Sequence, residues 1–352
     1  MADKETLLNL LRASAPSGRE TAAASVFRSA VESFADEVET DHVGTVTARV
    51  KGSAGRTLVV MGHIDEIGVI VSHIDDKGFL RFQQVGGWDP VVLIGQRVTL
   101  AGRDGKDVSG VIARKPIHLM EADERGKSAK IKDLHIDIGA KDADDAKTFV
   151  RVGDVGVIDV DPIELPNGRI ASRAMDNRIG CFVALEAARL VKEAGGAAFD
   201  VVAVAAAQEE TTFGGSTTVT HRLNPDAGIA VDVTFATDQP GVETGELSDH
   251  PLGSGAVITR GTNLHPRVFD GLIDVAEDKK IDHTLAAEGR TTSTDADAIN
   301  MSRDGVPTGL VSVPLRYMHS PVEVVQFSDV EAAAQVIADF ALSLPADTDF
   351  TR

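Results

Sequence analysis

Apolar runs of strand length, several of them ending directly in a histidine or a carboxylate, constrain the fold of this chain more than any other feature. Residues 57–61 form a continuous apolar run, as expected of a strand buried on both faces, and lead straight into Gly62-His63-Ile64-Asp65. From residue 170 onward, helical and strand patterns alternate. This alternation predicts an α/β fold in which a mainly parallel central sheet carries helices on both faces.

The apolar periodicity and the breaks at proline and glycine place the individual elements. Near the start of the chain the patterns predict helices over 4–14 and 21–37 and a strand over 45–50. In the second half they predict helices over about 178–194, 215–222, 266–279 and 328–343, and strands over 200–206, 227–233, 255–260 and 309–313.

The pattern changes between about residues 69 and 166, where short alternating segments are punctuated by glycine. Such segments indicate a small β-barrel or sandwich. Because this part interrupts the layered α/β pattern, we interpret it as an inserted domain. The predicted organisation is therefore a catalytic domain made of residues 1–68 and 167–352, with an inserted β-rich domain over 69–166.

Charge and composition restrict the partners. The net charge of −19 and the pI of about 4.9 argue against nucleic acid and against an anionic membrane surface, because both require a basic patch. No apolar run approaches the ~20 residues of a membrane span, and the charged N-terminus lacks the apolar core of a signal peptide. The single cysteine, Cys181, excludes an intrachain disulfide and is expected to be a small core residue. These features predict a cytoplasmic protein.

Polar clusters follow the predicted strands at the edge where ligands gather in open α/β sheets. These clusters are Gly62-His63-Ile64-Asp65-Glu66, Met175-Asp176-Asn177-Arg178, Gln208-Glu209-Glu210, Val231-Asp232-Val233 and Tyr317-Met318-His319-Ser320-Pro321. Together they supply two histidines and several carboxylates, which is the ligand set that two adjacent divalent cations need. The joint pattern predicts a two-metal hydrolase.

Taken singly, most of these clusters also fit a structural role. His63 fits a buried histidine held by Asp65, Asp176 fits a helix N-cap, and His319 fits a hydrogen-bonded loop histidine. Two adjacent acids after an apolar run, Glu209 and Glu210, are harder to explain as surface charge. If the chain turns there, one of them can hold a metal ion while the other acts as a general base.

Three motifs, in this order, resemble the tetrahedral aminopeptidase family over essentially the whole chain. They are Gly62-His63-Ile64-Asp65-Glu66-Ile67-Gly68, Ala174-Met175-Asp176-Asn177-Arg178-Ile179-Gly180-Cys181 and Pro314-Leu315-Arg316-Tyr317-Met318-His319-Ser320-Pro321. Members of that family are cytosolic co-catalytic metallopeptidases, some named glutamyl or deblocking aminopeptidases and some named endoglucanases. Their fold implies an α/β catalytic domain with an inserted β-barrel-like domain that makes dimer contacts.

The resemblance also implies residue roles. The implied ligands of two divalent ions per subunit, with zinc or cobalt suited to the mixed set, are His63, Asp176, Glu210, Asp232 and His319. Asp232 would join His63 at the first ion, Asp176 would bridge the two ions, and Glu210 and His319 would complete the second site. Glu209 would be the general base, and Asp65 would orient the first-site histidine.

Family members assemble from dimers into a hollow tetrahedral dodecamer that admits short peptides, so the resemblance implies a homo-oligomer of this kind. This chain departs from the usual family pattern at several positions. Asn177 stands where a second aspartate is common, Thr211-Thr212-Phe213 replaces a run that usually contains valine and glycine, and Ser293 stands where glycine is frequent. None of these departures removes an implied ligand.

The predicted function is that of a metal-dependent aminopeptidase that removes N-terminal residues from short peptides with a two-metal activated water. A related hydrolase of N-acyl amino acids or a carboxypeptidase is the nearest alternative. A glycosidase using Glu209 and Glu210 would leave both histidines unused, and a metal-binding scaffold without turnover would need no spare glutamate. The pocket for the first substrate residue is expected to be built from loops. A turn containing Arg260, Asn263 and His265 is one candidate for the lining of this pocket, although a plain turn without a role in binding is favoured.

Overall fold

The computed structural model describes residues 3–351, apart from the side chains of Glu124 and Glu246. Its α-helices are α1 (Lys4–Arg12), α2 (Thr21–Val31), α3 (Pro90–Leu93), α4 (Ala122–Arg125), α5 (Ala143–Phe149), α6 (Met175–Glu193), α7 (Glu209–Thr212), α8 (Gly214–Leu223), α9 (Thr244–Leu247), α10 (Pro266–Lys279), α11 (Asp295–Asn300) and α12 (Phe327–Ser343). Within these described residues, none of the helices has the length and apolar character needed to cross a bilayer.

The strands fall into an eight-stranded sheet, a closed barrel and a small three-stranded sheet. They are β1 (Glu37–Thr40), β2 (Val46–Val50), β3 (Thr57–His63), β4 (Gly68–Ile74), β5 (Leu80–Val85), β6 (Arg97–Ala101), β7 (Asp107–Arg114), β8 (Leu134–Asp137), β9 (Val155–Ile158), β10 (Ile163–Leu165), β11 (Arg169–Ser172), β12 (Asp200–Ala206), β13 (Ala227–Phe235), β14 (Ala256–Gly261), β15 (His283–Glu288), β16 (Thr308–Leu315) and β17 (Glu323–Gln326).

The eight-stranded sheet has the order β1-β2-β12-β3-β13-β16-β14-β15. Its four central strands, β12, β3, β13 and β16, are mutually parallel, so their carboxyl ends lie side by side. Antiparallel pairs occur towards the margins, where β12 meets β2 and β16 meets β14. The prediction of a mainly parallel sheet is confirmed.

Both faces of this sheet are covered by helices, and β3 shows why its sequence is continuously apolar. Leu58 and Val60 pack into the core under α1, α2, α6 and α12, whereas Val59 and Met61 pack into a separate core under α8 and α11. Successive side chains of a strand point to opposite faces, so a strand covered on both sides has no solvent-facing position.

The strands from β4 to β9 close into a barrel in the order β4-β5-β8-β7-β6-β9. The barrel has its own core, which includes Leu80, Val98, Leu100, Leu134 and Ile136, all fully buried. Strand β7 alternates exposed and buried side chains, as a strand with one face towards solvent does. Closure leaves no unpaired sheet edge, which lets a small all-β unit stand beside the main sheet.

Most predicted elements of the second half are confirmed, and the helix predicted over 266–279 coincides with α10. The helix predicted over 21–37 was too long, because α2 ends at Val31 and residues from Glu37 form strand β1. Strand β15 was not predicted at all. Both β1 and β15 are partly exposed edge strands, so their side chains lack the apolar regularity that marks a buried strand.

The end of β3 packs against the start of α6 through two glycines, Gly62 and Gly180. A Cβ atom at Gly62 would lie 2.3 Å from the carbonyl carbon of Gly180 and 2.5 Å from the amide nitrogen of Cys181. A Cβ at Gly180 would lie 2.5 Å from the Val231 carbonyl oxygen. The strand and the helix therefore approach each other at backbone contact distance, and this contact fixes the position of His63 relative to α6.

We expect Gly62→Ala to lower the free energy of unfolding by about 1–3 kcal/mol, because the added methyl group forces the strand and the helix apart. Urea denaturation followed by circular dichroism measures the change. Gly126→Ala is the matched control, since a Cβ there meets no atom within 4 Å. Equal stabilities of the two variants would contradict the backbone contact.

Candidate metal centre

The predicted site residues come together where the four parallel strands end. His63 is the last residue of β3, Asp232 lies in the second half of β13, and Glu209 starts α7 just after β12. His319 lies in the loop between β16 and β17. Asp176 reaches the same place from the first residues of α6. All seven predicted site residues are thus near one another.

Asp176 stands between the two histidines. Its Oδ1 lies 3.1 Å from Nε2 of His63, and its Oδ2 lies 3.4 Å from Nε2 of His319. Each carboxylate oxygen therefore faces a different imidazole. This is the arrangement that a carboxylate bridging two cations requires.

The paired glutamates lie close to the two histidines, one glutamate beside each ring. Glu209 Oε2 is 3.6 Å from Nε2 of His63, and Glu210 Oε1 is 3.8 Å from Nε2 of His319. Potential ligand atoms lie within 4.8 Å of one another in two groups, one of His63, Asp176 and Glu210 and the other of His63, Glu209 and Asp232. Because the chain turns into α7 here, both glutamates face the same cleft.

Asp65 holds several of these elements together. Its Oδ1 accepts a hydrogen bond from the backbone N–H of Glu209 (3.0 Å), and its Oδ2 accepts from the N–H of Glu210 (3.2 Å) and from the hydroxyl of Ser17 (2.6 Å). Nδ1 of His63 is 3.5 Å from Asp65 Oδ1 and 3.2 Å from the Asp65 carbonyl oxygen. One buried aspartate therefore sets the ring of His63 and the start of α7 at the same time.

A buried ion-pair network supports the loop that follows His63. Glu66 Oε1 accepts hydrogen bonds from Nη2 of Arg178 (2.6 Å) and from the backbone N–H of Ala15 (3.0 Å), and Glu66 Oε2 pairs with Arg173. Arg178 also donates to the carbonyl oxygen of Ile64 at 3.1 Å. Breaking such a buried pair leaves an uncompensated charge, so the loop is held firmly.

Asn177 anchors the residue after Asp176. Its Nδ2 donates to the carbonyl oxygen of Val231 at 2.8 Å, and its Oδ1 accepts from the N–H of Gly180 at 2.9 Å. These two contacts need one donor and one acceptor on the same side chain, and an amide provides both while a carboxylate does not. The departure from aspartate at this position therefore serves the packing of β13 against α6.

Backbone conformations that side chains rarely adopt cluster at the site. Ala174, Gln208 and His319 have φ values of 58°, 62° and 58°, in the left-handed region that disfavours residues with a Cβ. Each lies at or within two residues of a proposed ligand or base. Such conformations persist where the surrounding structure imposes them, and they are concentrated at functional sites.

Two acidic residues of this site were missed by sequence reasoning. Glu323, at the start of β17, accepts hydrogen bonds from the N–H of His319 (2.9 Å) and the N–H of Asp176 (3.3 Å). Asp295, at the start of α11, is 1% exposed and adds its negative charge to the surroundings of Glu209. The one sequence signal for Glu323 is that it directly precedes two valines of a strand. A surface glutamate can have the same neighbours, so this signal does not identify it.

The electrostatics of the cluster favour bound cations. Its carboxyl groups are Asp65, Asp176, Glu209, Glu210, Asp232, Asp295 and Glu323, and within the described structure none of them forms an ion pair with a lysine or arginine. Burial raises the pKa of Glu209 to about 10 and that of Glu210 to about 8. The hydrogen bond that the His319 ring donates to the Asp176 carboxylate raises the pKa of His319 to about 9. These groups hold protons that divalent cations would replace, so the residues present fit a metal centre.

The cluster opens into a cleft of about 530 Å³. The barrel contributes to its surroundings, because a Cβ at Gly86 would lie 3.0 Å from Glu210 Oε2 and one at Gly87 would lie 3.2 Å from Nδ1 of His319. Nε1 of Trp88, next in sequence, donates to the Gly68 carbonyl oxygen at 2.9 Å. The turn that contains Arg260, Asn263 and His265 does not line the cleft, which agrees with the favoured interpretation of a plain turn.

Cys181 takes no part in this chemistry. It is fully buried, its Sγ lies 3.3 Å from the Gly62 carbonyl oxygen, and burial raises the pKa of its thiol. The prediction of a small core cysteine is confirmed. What remains in the cleft is a histidine and carboxylate cluster with a glutamate to spare, which is the composition of a metal-assisted hydrolase site.

Comparison with known proteins identifies the class more closely. Residues 44–336 match the M42 glutamyl aminopeptidase family, and the chain belongs to this family. It is an aminopeptidase, and family membership implies that divalent metal ions take part in its reaction.

Individual relatives agree with this placement. A lysyl aminopeptidase of Pyrococcus furiosus is 35% identical over 86% of this chain and 85% of its own length. The crystal structure of a TET aminopeptidase from the marine sediment archaeon Thaumarchaeota archaeon SCGC AB-539-E09 superposes with a TM-score of 0.91 at 34% identity, over 97% of this chain and 96% of that one. A TET1 peptidase of Pyrococcus horikoshii superposes with a TM-score of 0.84 at 28% identity, over 97% and 99% of the two chains.

We expect Asp65→Asn to weaken divalent cation binding by about 10–100-fold, because the amide cannot accept all the hydrogen bonds that now fix His63 and the start of α7. Competition with a zinc-binding dye measures the affinity. Asp75→Asn is the control, since Asp75 makes similar backbone hydrogen bonds within a hairpin of the barrel. Unchanged affinity in Asp65→Asn would show that Asp65 has no supporting role.

Proposed function

We propose that the chain hydrolyses the N-terminal peptide bond of short peptides with two divalent cations per subunit, zinc or cobalt being suited to the donors. His63 and Asp232 would hold one cation, Glu210 and His319 the other, and Asp176 would bridge the two. The observation that carries this proposal is the position of Asp176, each of whose carboxylate oxygens faces a different histidine.

When bound, the cations would polarise the scissile carbonyl group and lower the pKa of a water molecule. In this proposal Glu209 removes the proton from that water and delivers it to the leaving amine. Its carboxylate suits the role because it is only 10% exposed, faces the cleft and is held at its backbone by Asp65. Glu323 keeps the loop of His319 and the start of α6 in register.

The alternatives are less well supported. A glycosidase using Glu209 and Glu210 would leave both histidines and Asp176 without a role, although they surround the same cleft. A metal-binding scaffold would close its coordination and need no glutamate beyond the ligands. Hydrolysis of N-acyl amino acids or of C-terminal residues shares the chemistry and differs only in the substrate.

We expect Glu209→Gln to reduce kcat for leucine p-nitroanilide by about 10²–10⁴-fold, because the amide cannot accept a proton. The protein should retain the wild-type amount of bound metal, measured by elemental analysis. Glu277→Gln, on the exposed face of α10, is the control and should keep full activity.

Two outcomes of this experiment would contradict the assignment. Near-normal turnover would remove Glu209 from the base role, whereas loss of one metal equivalent would make Glu209 a ligand, which its distance to His63 and Asp232 permits. Treatment with EDTA should abolish wild-type hydrolysis, and re-addition of zinc or cobalt should restore it. Glycosidase chemistry with two carboxyl groups would survive EDTA.

The proposal includes a homo-oligomer built from dimers through the barrel, with a tetrahedral dodecamer as the full assembly. The Pyrococcus horikoshii relative is described as assembling into a tetrahedron or a large octahedral shell. Large apolar side chains are exposed in the barrel region here, among them Ile117 (56% exposed), Leu119 (67%) and Val152 (61%). Exposed apolar groups of this size mark surfaces that associate. A cytoplasmic location completes the proposal and is supported by the family.

We expect the wild-type chain to have a mass near twelve times the 37.1 kDa subunit in multi-angle light scattering. The double variant Leu119→Lys and Val152→Lys should give a smaller species, because the charges oppose burial of this surface. Met301→Lys is the control, since Met301 is 79% exposed and lies outside the barrel. A monomeric wild type, or an unchanged mass in the double variant, would contradict the proposal.

A further inference from the structure

The cleft beyond the metal centre has walls that differ in character from the cluster itself. Its remaining lining is mostly apolar or uncharged, and includes Val233, Phe235, Leu247, Ala286, Ala287 and Met318. Side chains such as Phe235, Leu247 and Met318 can pack against an aliphatic stem. A substrate side chain that enters this cleft therefore meets apolar walls and few charges.

Glu288 is the one carboxylate among these lining residues of the described structure. It is the last residue of the edge strand β15, and its carbonyl oxygen accepts a hydrogen bond from the N–H of Thr262 at 3.1 Å, which fixes its backbone. Its carboxylate forms no ion pair with any described lysine, arginine or histidine. Glu288 is exposed, so it places a hydrated carboxylate, without an ion-pair partner among the described residues, in the wall of the cleft.

No lysine or arginine of the described residues lines the cleft to balance this charge. The one other titratable side chain outside the cluster is His250, which is 1% exposed and contacts Oγ1 of Thr284 through Nδ1 at 2.8 Å. Burial lowers the pKa of His250, so its ring is neutral near pH 7. A substrate carboxylate entering here would lose water without gaining a cationic partner.

The geometry points to a preference of this cleft for N-terminal residues with an aliphatic stem and a terminal cation, namely lysine and arginine, with Glu288 as the specificity-determining residue. Glutamate and aspartate are disfavoured in the same cleft. This inference rests on the proposed function, because it assumes that the first substrate residue occupies the space beside the metal centre. Family membership does not decide the matter, since the family description names glutamyl substrates and a relative is named for lysyl ones.

The test compares lysine, arginine, leucine and glutamate p-nitroanilides with the metal-loaded full-length chain. We expect kcat/KM for lysine and arginine to be at least tenfold above that for glutamate, and Glu288→Gln to reduce the lysine-to-leucine ratio about three- to fivefold. Glu288→Lys should raise the glutamate-to-leucine ratio. Leucine hydrolysis reports the general activity and separates a failure of the proposed function from a failure of this inference.

Arg290→Gln is the matched control. Arg290 lies two residues after Glu288, carries the opposite charge and does not line the cleft. Its removal should leave the lysine-to-leucine ratio within about twofold of wild type, well below the effect of a direct charge pair. A large fall in glutamate hydrolysis in Arg290→Gln would mean that this arginine recognises an acidic substrate, and would overturn the inference.

Binding gives a second readout that does not need turnover. Calorimetry with L-lysinamide and with the α-amide of L-glutamic acid should show tighter binding of lysinamide, and the difference should shrink in Glu288→Gln and at high ionic strength. Tighter binding of the glutamate derivative, or a lysine preference unaffected by Glu288→Gln, would overturn the inference. If neither leucine nor lysine p-nitroanilide is cleaved while lysinamide binds more tightly, the inference stands and the proposed reaction fails.

Discussion

The carboxylate of Asp65 joins parts of the chain that are distant in sequence, and the geometry of the site depends on it. It accepts hydrogen bonds from the backbone of Glu209 and Glu210 and from the hydroxyl of Ser17, and it lies beside the ring of His63. Hydrogen bonds to an ionised acceptor are stronger than those between neutral groups, so this arrangement is rigid. The proposed base and the first histidine are therefore placed relative to one another by a residue that need not touch the substrate.

Parallel strands explain why so many acids can be gathered here. The four central strands end side by side, and each carries or is followed by at least one polar residue of the site. Their carboxyl groups face a cleft that no described lysine or arginine enters. The fold thus concentrates negative charge that the protein does not neutralise itself, which is the physical basis for expecting cations in this place.

Sequence reasoning worked where a residue's role follows from its position in the chain. The apolar run of β3 predicted a strand covered on both faces. The acids that follow such strands were found because they stand directly after an apolar run. It did not find Glu323, because its role arises from hydrogen bonds to the backbone of His319 and Asp176, which only the folded chain brings near. Glu288 was missed because β15 is a half-exposed edge strand whose polar residues look like ordinary surface.

The barrel strands lie between β3 and β12 of the main sheet in chain order, and this limits how the protein could be divided. Gly86 and Gly87 follow β5 and lie close to Glu210 and His319, so that a Cβ atom would make a tight contact of 3.0 Å with Glu210 Oε2 and of 3.2 Å with His319 Nδ1. Excising the barrel to obtain a smaller enzyme would also remove Gly86 and Gly87, and with them the backbone that borders the cleft beside Glu210 and His319.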